Sequence, residues 1–188
     1  MPCEIGPDIW MFPPPTGGAV YVVRTRDGLV LIDSGLYHHK DFFLGKMSEN
    51  KLDPGDIRLA FATHFHCDHV GGMGWWRKEF GFEVAAHEQA MRPMETADII
   101  RTGASIPYAG FNAEFIPCPI KHRISDRSSF TVGDRTFLAY AAPGHTVGSL
   151  HIALDRFQFV GDTLFSDGTI GWMDVHWGSN PGDYVETL

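Results

Sequence analysis

Residues 62–72 read Ala-Thr-His-Phe-His-Cys-Asp-His-Val-Gly-Gly, so His64, His66, Asp68 and His69 crowd into six positions. Imidazole nitrogens and carboxylate oxygens are ligands for divalent metals. Gathering them in one desolvated volume without a cation is costly. On a strand, His64, His66 and Asp68 would share a face and His69 would point the other way. A curled loop after a strand lets all four converge, and Gly71-Gly72 behind them allows close backbone approach. A solvated polar turn would account for one histidine, but not for four ligand-type side chains at this density. Nitrogen and oxygen donors without cysteine suit zinc, iron or manganese and do not choose among them.

The elements that must position this loop can be read on either side of it. Residues 19–26 read as a strand, Asp27-Gly28 as a hairpin turn, and Leu29 to Asp33 as the return strand. The return strand is apolar along its length, as expected for burial on both faces. The prolines and glycines of residues 13–18 forbid regular structure there. A helix is expected over 39–50, with Phe42, Phe43 and Met47 on one face. A strand over 58–62 delivers the histidine loop. A short helix with Trp75 and Trp76, a strand over 83–86 and a helix over 87–98 follow. Residues 99–120 are broken by Gly103, Pro107, Gly110, Pro117 and Pro119. A loop this long is functional or mobile. Its aromatics, Tyr108, Phe111 and Phe115, either roof a pocket or form a satellite core. Hairpins follow around Gly133-Asp134 and Asp155-Arg156. Strands and helices mix without strict alternation, giving an α/β or α+β fold.

Three further stretches make the pattern specific. Leu31-Ile32-Asp33-Ser34-Gly35, Pro143-Gly144-His145-Thr146-Val147-Gly148-Ser149 and Val160-Gly161-Asp162-Thr163-Leu164-Phe165 stand, with the histidine loop, in the order of the motifs of the metallo-β-lactamase superfamily. The chain resembles that family of mostly hydrolytic metalloenzymes from Leu31 to Phe165. The resemblance implies a four-layer αβ/βα sandwich in one domain over 1–188. It implies one metal site made by His64, His66 and His145, and a second holding Asp68 and His69, with Asp162 bridging the two. Two zinc ions are expected, with iron or manganese as alternatives. The family's further histidine, often in a Gly-His-Gly turn downstream of the fourth motif, has no counterpart here. Together with a helix beginning at Pro181 just before Leu188, this leads to the expectation of a C-terminally truncated domain. Apolar sheet surface left uncovered would favour self-association into an oligomer.

The chemistry expected of such a centre is hydrolysis. A metal lowers the pKa of bound water to near 7 and polarises the substrate oxygen. Asp68 is the candidate for orienting that water and carrying a proton to the leaving group. Asp33 reads as a carboxylate that accepts a hydrogen bond from a ligand histidine or loop amides, or as a plain turn residue. His176, beyond Asp162, either lines the pocket or stands in for the absent ligand. Cys67 and Cys118 read as packing or inert thiols. His38 and His39 read as solvated, and His87, His122 and His151 as structural. The substrate expected is small and ester-like, a thioester or lactone. A non-hydrolytic alternative, an iron redox enzyme or a metal-binding sensor or scaffold, is motivated by the absent ligand.

Composition narrows the partners. The chain has 188 residues, 44% hydrophobic and 20% charged, enough for one domain burying roughly 70% of its unfolded surface. A net charge of −8 and no basic cluster beyond Lys121-His122-Arg123 argue against a nucleic-acid partner. No apolar run reaches the ~20 residues of a membrane span, and Met1-Pro2-Cys3-Glu4 does not resemble a signal peptide. Three cysteines fit a reducing compartment, so a cytoplasmic location is expected.

Overall fold

In a computed structural model of the chain, residues 3–106 and 114–188 are described. The expected loop residues Pro107, Tyr108, Gly110 and Phe111 lie outside them.

The strands build two sheets. β1 (Cys3–Gly6), β2 (Ile9–Phe12), β3 (Val20–Thr25), β4 (Gly28–Ile32), β5 (Ile57–Phe61), β6 (Glu83–His87) and β7 (His122–Ile124) lie side by side in chain order. The first three pairings are antiparallel, and β4 through β7 pair in parallel. The second sheet runs β11 (Phe157–Phe159), β10 (Leu150–Leu154), β9 (Arg135–Ala141), β8 (Arg127–Val132), all antiparallel. Helices α1 (Lys40–Glu49), α2 (Cys67–Val70), α3 (Met73–Phe80) and α4 (Glu88–Glu95) come from the first half of the chain. A last helix, α5 (Pro181–Thr187), follows the second sheet. This is the mixed α/β architecture expected.

Two cores sandwich the larger sheet, and β4 shows why. Leu29 and Leu31 join Phe43 and Met47 of α1, Met73 and Trp76 of α3, and Ala90 and Met94 of α4 in one cluster. Val30 and Ile32 face the other way and join Phe61, Phe137, Leu150 and Ile152 between the sheets. Period-two alternation thus buries opposite sides of one strand in two cores. A side chain of this kind contributes roughly 1.5–3 kcal/mol on full burial, so both faces pin the β4 register. Slipping it by one residue would exchange the two sets.

The structure corrects the sequence reading at several places. Ile9–Phe12 is a strand, with Ile9 and Phe12 fully buried. The prolines after it break the chain only between β2 and β3. A 3-10 turn at Tyr37–His39 precedes α1, and α4 stops at Glu95. The short β7, three residues long, carried no apolar pattern to announce it. Phe115 and Cys118 belong to the helix-side core, whereas Ile106 in the same long loop lines a cleft. Phe115 thus joins the main core rather than a satellite one, and Tyr108 and Phe111 lie outside the described residues. Cys67 and Cys118 are free and buried, and burial pushes each thiol up to about 12. Among the described residues, no helix is long and apolar enough to cross a membrane.

Candidate metal centre

Each residue of the centre stands just past the C-terminal end of a strand, where open α/β sheets place their sites. Asp33 follows β4, His64 follows β5, His145 follows β9 and Asp162 follows β11. The sequence motif is neither strand nor simple loop. Thr63 to His66 are irregular, and Cys67, Asp68 and His69 form the first turn of α2. That change of conformation swings His69 back toward His64, which strand alternation could not do. Asp33 adopts φ 59, a left-handed conformation that aspartate tolerates better than most residues.

Two groups of donor atoms come within 4.8 Å of one another: His64, His66 and His145, and His64, His69 and Asp162. His145 Nε2 is 3.3 Å from His64 Nε2 and 3.0 Å from His66 Nδ1. His69 Nε2 is 3.0 Å from Asp162 Oδ1, and His145 Nε2 is 4.0 Å from Asp162 Oδ2. Asp68 is set slightly back, its Oδ2 3.8 Å from His69 Nε2. His176 is exposed and belongs to neither group. It lines the neighbouring cavity.

The partners behind the rings decide which nitrogens carry protons. His69 Nδ1–H donates to Asp33 Oδ2 at 2.7 Å. His145 Nδ1–H donates to the Trp172 carbonyl at 2.6 Å, and His66 Nε2–H to Asp174 Oδ2 at 3.4 Å. Asp33 also accepts from Thr63 N at 2.8 Å and from the Thr63 hydroxyl at 2.7 Å. With its proton so committed, Thr63 Oγ1 accepts from His64 Nδ1, 3.1 Å away. His64, His66 and His145 therefore turn an N–H outward and a lone pair inward, while His69, its Nδ1–H on Asp33, turns Nε2 toward Asp162. This is the arrangement that outer partners impose on metal-binding histidines. Inward lone pairs at 3.0–3.3 Å repel one another unless a cation lies between them. Three nitrogens bound at 2.0–2.1 Å to a tetrahedral ion stand about 3.4 Å apart, close to the spacing seen. His69 Nε2 faces the carboxylates of Asp162 at 3.0 Å and Asp68 at 3.8 Å, a mixed nitrogen and oxygen donor set of the kind that binds divalent ions. The residues fit a divalent metal.

Electrostatics agree. Burial, then the neighbouring imidazoles, hold His64 well below its usual range and His145 at about 4. Both stay neutral, the form that binds metal. Burial works against a charged His69, but the carboxylates of Asp162, Asp68 and Asp33 outweigh it and raise the group well above its usual range. The field that holds a proton there favours a divalent cation equally. Burial opposes an ionised Asp162, yet His69 beside it brings the carboxyl down to about 2.

Other histidines stand apart from the centre. His87 caps α4 by accepting from Gln89 N, His122 pairs with Glu83 at 2.7 Å, and His151 packs on Tyr140. His38 and His39 contact each other edge to face. Several residues that complete the site were not singled out in the sequence. Thr63 orients two groups at once, and its place beside His64 was the only hint. Asp174 reaches His66 across 108 positions, which no local pattern could announce. Tyr184 of α5 sets its hydroxyl 3.0–3.3 Å from the carbonyls of Asp162, Thr163 and Gly171 and so props the Asp162 turn.

Gly17-Gly18 is a further omission. A Cβ on Gly18 would stand 2.4 Å from His69 Cε1 and Nε2. Gly18→Ala should therefore push the His69 ring off its Asp33 and Asp162 partners. The expected outcome is less bound metal per chain in inductively coupled plasma mass spectrometry, with a melting temperature near that of the parent. Unchanged metal content would show that the ring does not need this space.

The centre opens into a cavity of ≈ 230 Å³ whose lining includes His66, Asp68, His145 and Asp162 together with the apolar Ile106 and Trp172. Two sheets with helices and a histidine-carboxylate cluster at their strand ends define an α/β protein built around a candidate metal centre. The metallo-β-lactamase superfamily profile matches residues 13–188. The chain is 30% identical over 150 residues to hydroxyacylglutathione hydrolase of Salmonella paratyphi C, covering 79% of this chain and 48% of that protein. It is 31% identical over 131 residues to hydroxyacylglutathione hydrolase 2 of Vibrio vulnificus, covering 62% of this chain and 42% of that one. The chain thus spans about half the length of these curated relatives. Among solved structures, a subclass B3 metallo-β-lactamase of Bradyrhizobium japonicum superposes with TM-score 0.73 at 23% identity, covering 99% of this chain and 71% of that one. This likeness speaks for the fold alone. The chain belongs to the metallo-β-lactamase superfamily.

Proposed function

We propose that this protein is a metal-dependent hydrolase of small thioesters or closely related acyl esters. The observation that carries the proposal is the set of inward lone pairs, each fixed by an outward N–H, at the mouth of a cleft. The similarity to hydroxyacylglutathione hydrolases supports the thioester end of that range. His64, His66 and His145 would hold one ion. His69 and Asp162 would hold a second, with Asp162 shared between them and Asp68 alongside. Zinc suits these donors, and iron or manganese would be tolerated by them. A cation bound there supplies Lewis acidity that activates water and polarises a carbonyl.

The chain's own residues do the remainder. Asp68 and Asp162 face the cleft and orient the attacking water toward the acyl carbon. Asp68, with no competing hydrogen bond from the ligand rings, takes the proton of that water and hands it to the departing sulfur. The water oxygen forms the new C–O bond, the C–S bond breaks, and a carboxylic acid and a thiol leave. Asp33, Thr63 and Asp174 keep the ring nitrogens aimed. The proposal extends to one domain over 1–188, to a small-molecule substrate and to a cytoplasmic setting, the last supported by the two free buried thiols.

Zinc-loaded protein should cleave acyl thioesters, releasing thiol detectable with a disulfide dye. Removing metal with a chelator should abolish the signal, and zinc should restore it. Thiol release indifferent to chelation would overturn the proposal. An iron-loaded protein with a visible band and no turnover would move it to redox chemistry.

A further inference from the structure

A second cavity, of ≈ 490 Å³, adjoins the first and shares His66, Gly103, Ile106 and Trp172 with it. Arg101, His176 and Trp177 line this second cavity and not the first. Arg101 has no role in the chemistry above, and its surroundings are unusual. Its guanidinium carbon lies 5.8 Å from the Phe65 ring centre and 5.1 Å from the Trp177 ring centre. Phe65 is fully buried and immediately precedes His66, so one side of this clamp belongs to the metal loop itself.

A cation in a chain of net charge −8 would be expected to find a carboxylate, yet Arg101 has none. No carboxylate among the described residues comes within salt-bridge distance of it, and residues 107–113 contain no acid. The nearest acid in sequence, Asp98, spends Oδ1 on the backbone N–H groups of Ile100 and Arg101 at 3.2 and 3.0 Å. Asp174, in the same cavity, is held by His66 at 3.4 Å. Arg101 Nε is buried with no hydrogen-bond partner. Ring contacts restrain the guanidinium, and among the described residues no hydrogen bond to it is made. Such a group is prepared to receive an anion, because the entropy of ordering a long side chain has already been lost.

We infer that Arg101 is the specificity determinant of this site and receives a carboxylate at the end of the substrate remote from the scissile bond. The inference rests on the hydrolase reading and names its substrate class: an acyl thioester with an apolar body and a terminal carboxylate. The apolar body lies along Ile106 and Trp172, which wall both cavities. The carboxylate meets the N–H groups of the guanidinium, whose fork matches two carboxylate oxygens in paired N–H···O bonds.

The test uses two thioesters of equal length, one ending in a carboxylate and the other in the neutral carboxamide. In the parent protein kcat/KM should favour the carboxylate by about 10- to 100-fold, the usual worth of a charge-assisted pair. Arg101→Gln should bring the ratio close to one, mainly through KM for the carboxylate substrate, and Arg101→Lys should restore part of it. A merely structural arginine would affect both substrates alike and leave the ratio unchanged, which would overturn the inference. So would a ratio near one in the parent. Calorimetric binding of the carboxylate thioether, which cannot be hydrolysed, separates the two claims. Weaker binding to Arg101→Gln with no turnover in any protein would sink the hydrolase reading and keep the anion site. Equal binding to both proteins would sink the site.

Discussion

Alanine at His66 or at Asp162 should lower thioester turnover about 1000-fold or more, the scale expected when a preorganised electrostatic centre is dismantled. His66 contributes the nitrogen 3.0 Å from His145 Nε2. Without it, two imidazoles remain on that side, and Asp174 loses its partner. Asp162 presents one oxygen to His69 at 3.0 Å and the other toward His145 at 4.0 Å. Its removal strips the shared carboxylate from both donor groups together. The measurements are kcat on zinc-loaded variants and metal content on the same samples. Each variant should lose metal and rate in parallel. Parent-like turnover in either would show that the clustered donors are not the reactive centre.

Asp33→Ala should be the most destabilising single change in the centre, by about 2–5 kcal/mol, because it removes the acceptor from a buried polar network. The Asp33 side chain is almost fully buried and accepts from Thr63 N, Thr63 Oγ1 and His69 Nδ1. Alanine would leave those donors unpaired where water cannot replace the carboxylate. At roughly 2–4 °C per kcal/mol for a chain of this size, a fall in melting temperature of about 4–20 °C is expected. Metal content should fall with it, since both Thr63 and His69 lose their orientation. Asp33→Asn keeps the shape and one acceptor oxygen and should fall between parent and alanine. A melting curve unmoved by Asp33→Ala would show that the network contributes nothing to the fold.

Much of this was legible along the chain. The density of His64, His66, Asp68 and His69 announced a metal, because no other arrangement relieves four such groups in so small a span. The strand at Leu29 to Ile32 was readable because burial on both faces demands apolar residues at every position. The centre's outer partners were not readable. Asp174 and His66, or Tyr184 and the Asp162 carbonyl, meet only after two sheets have packed. Nor could alternation alone foresee that His69 rejoins His64. That depends on α2 starting at Cys67, which rotates successive side chains by a helical rather than an extended step.

Residue types and their order by themselves determined the family, the mixed α/β class and which side chains could bind a cation, since those follow from ligand chemistry and local periodicity. Tertiary structure alone decided the protonation pattern of the four rings, the glycine gap beside His69 and the unpaired Arg101 clamped between Phe65 and Trp177. Each depends on distances between segments far apart in the chain, and such distances exist only once both faces of the larger sheet are covered.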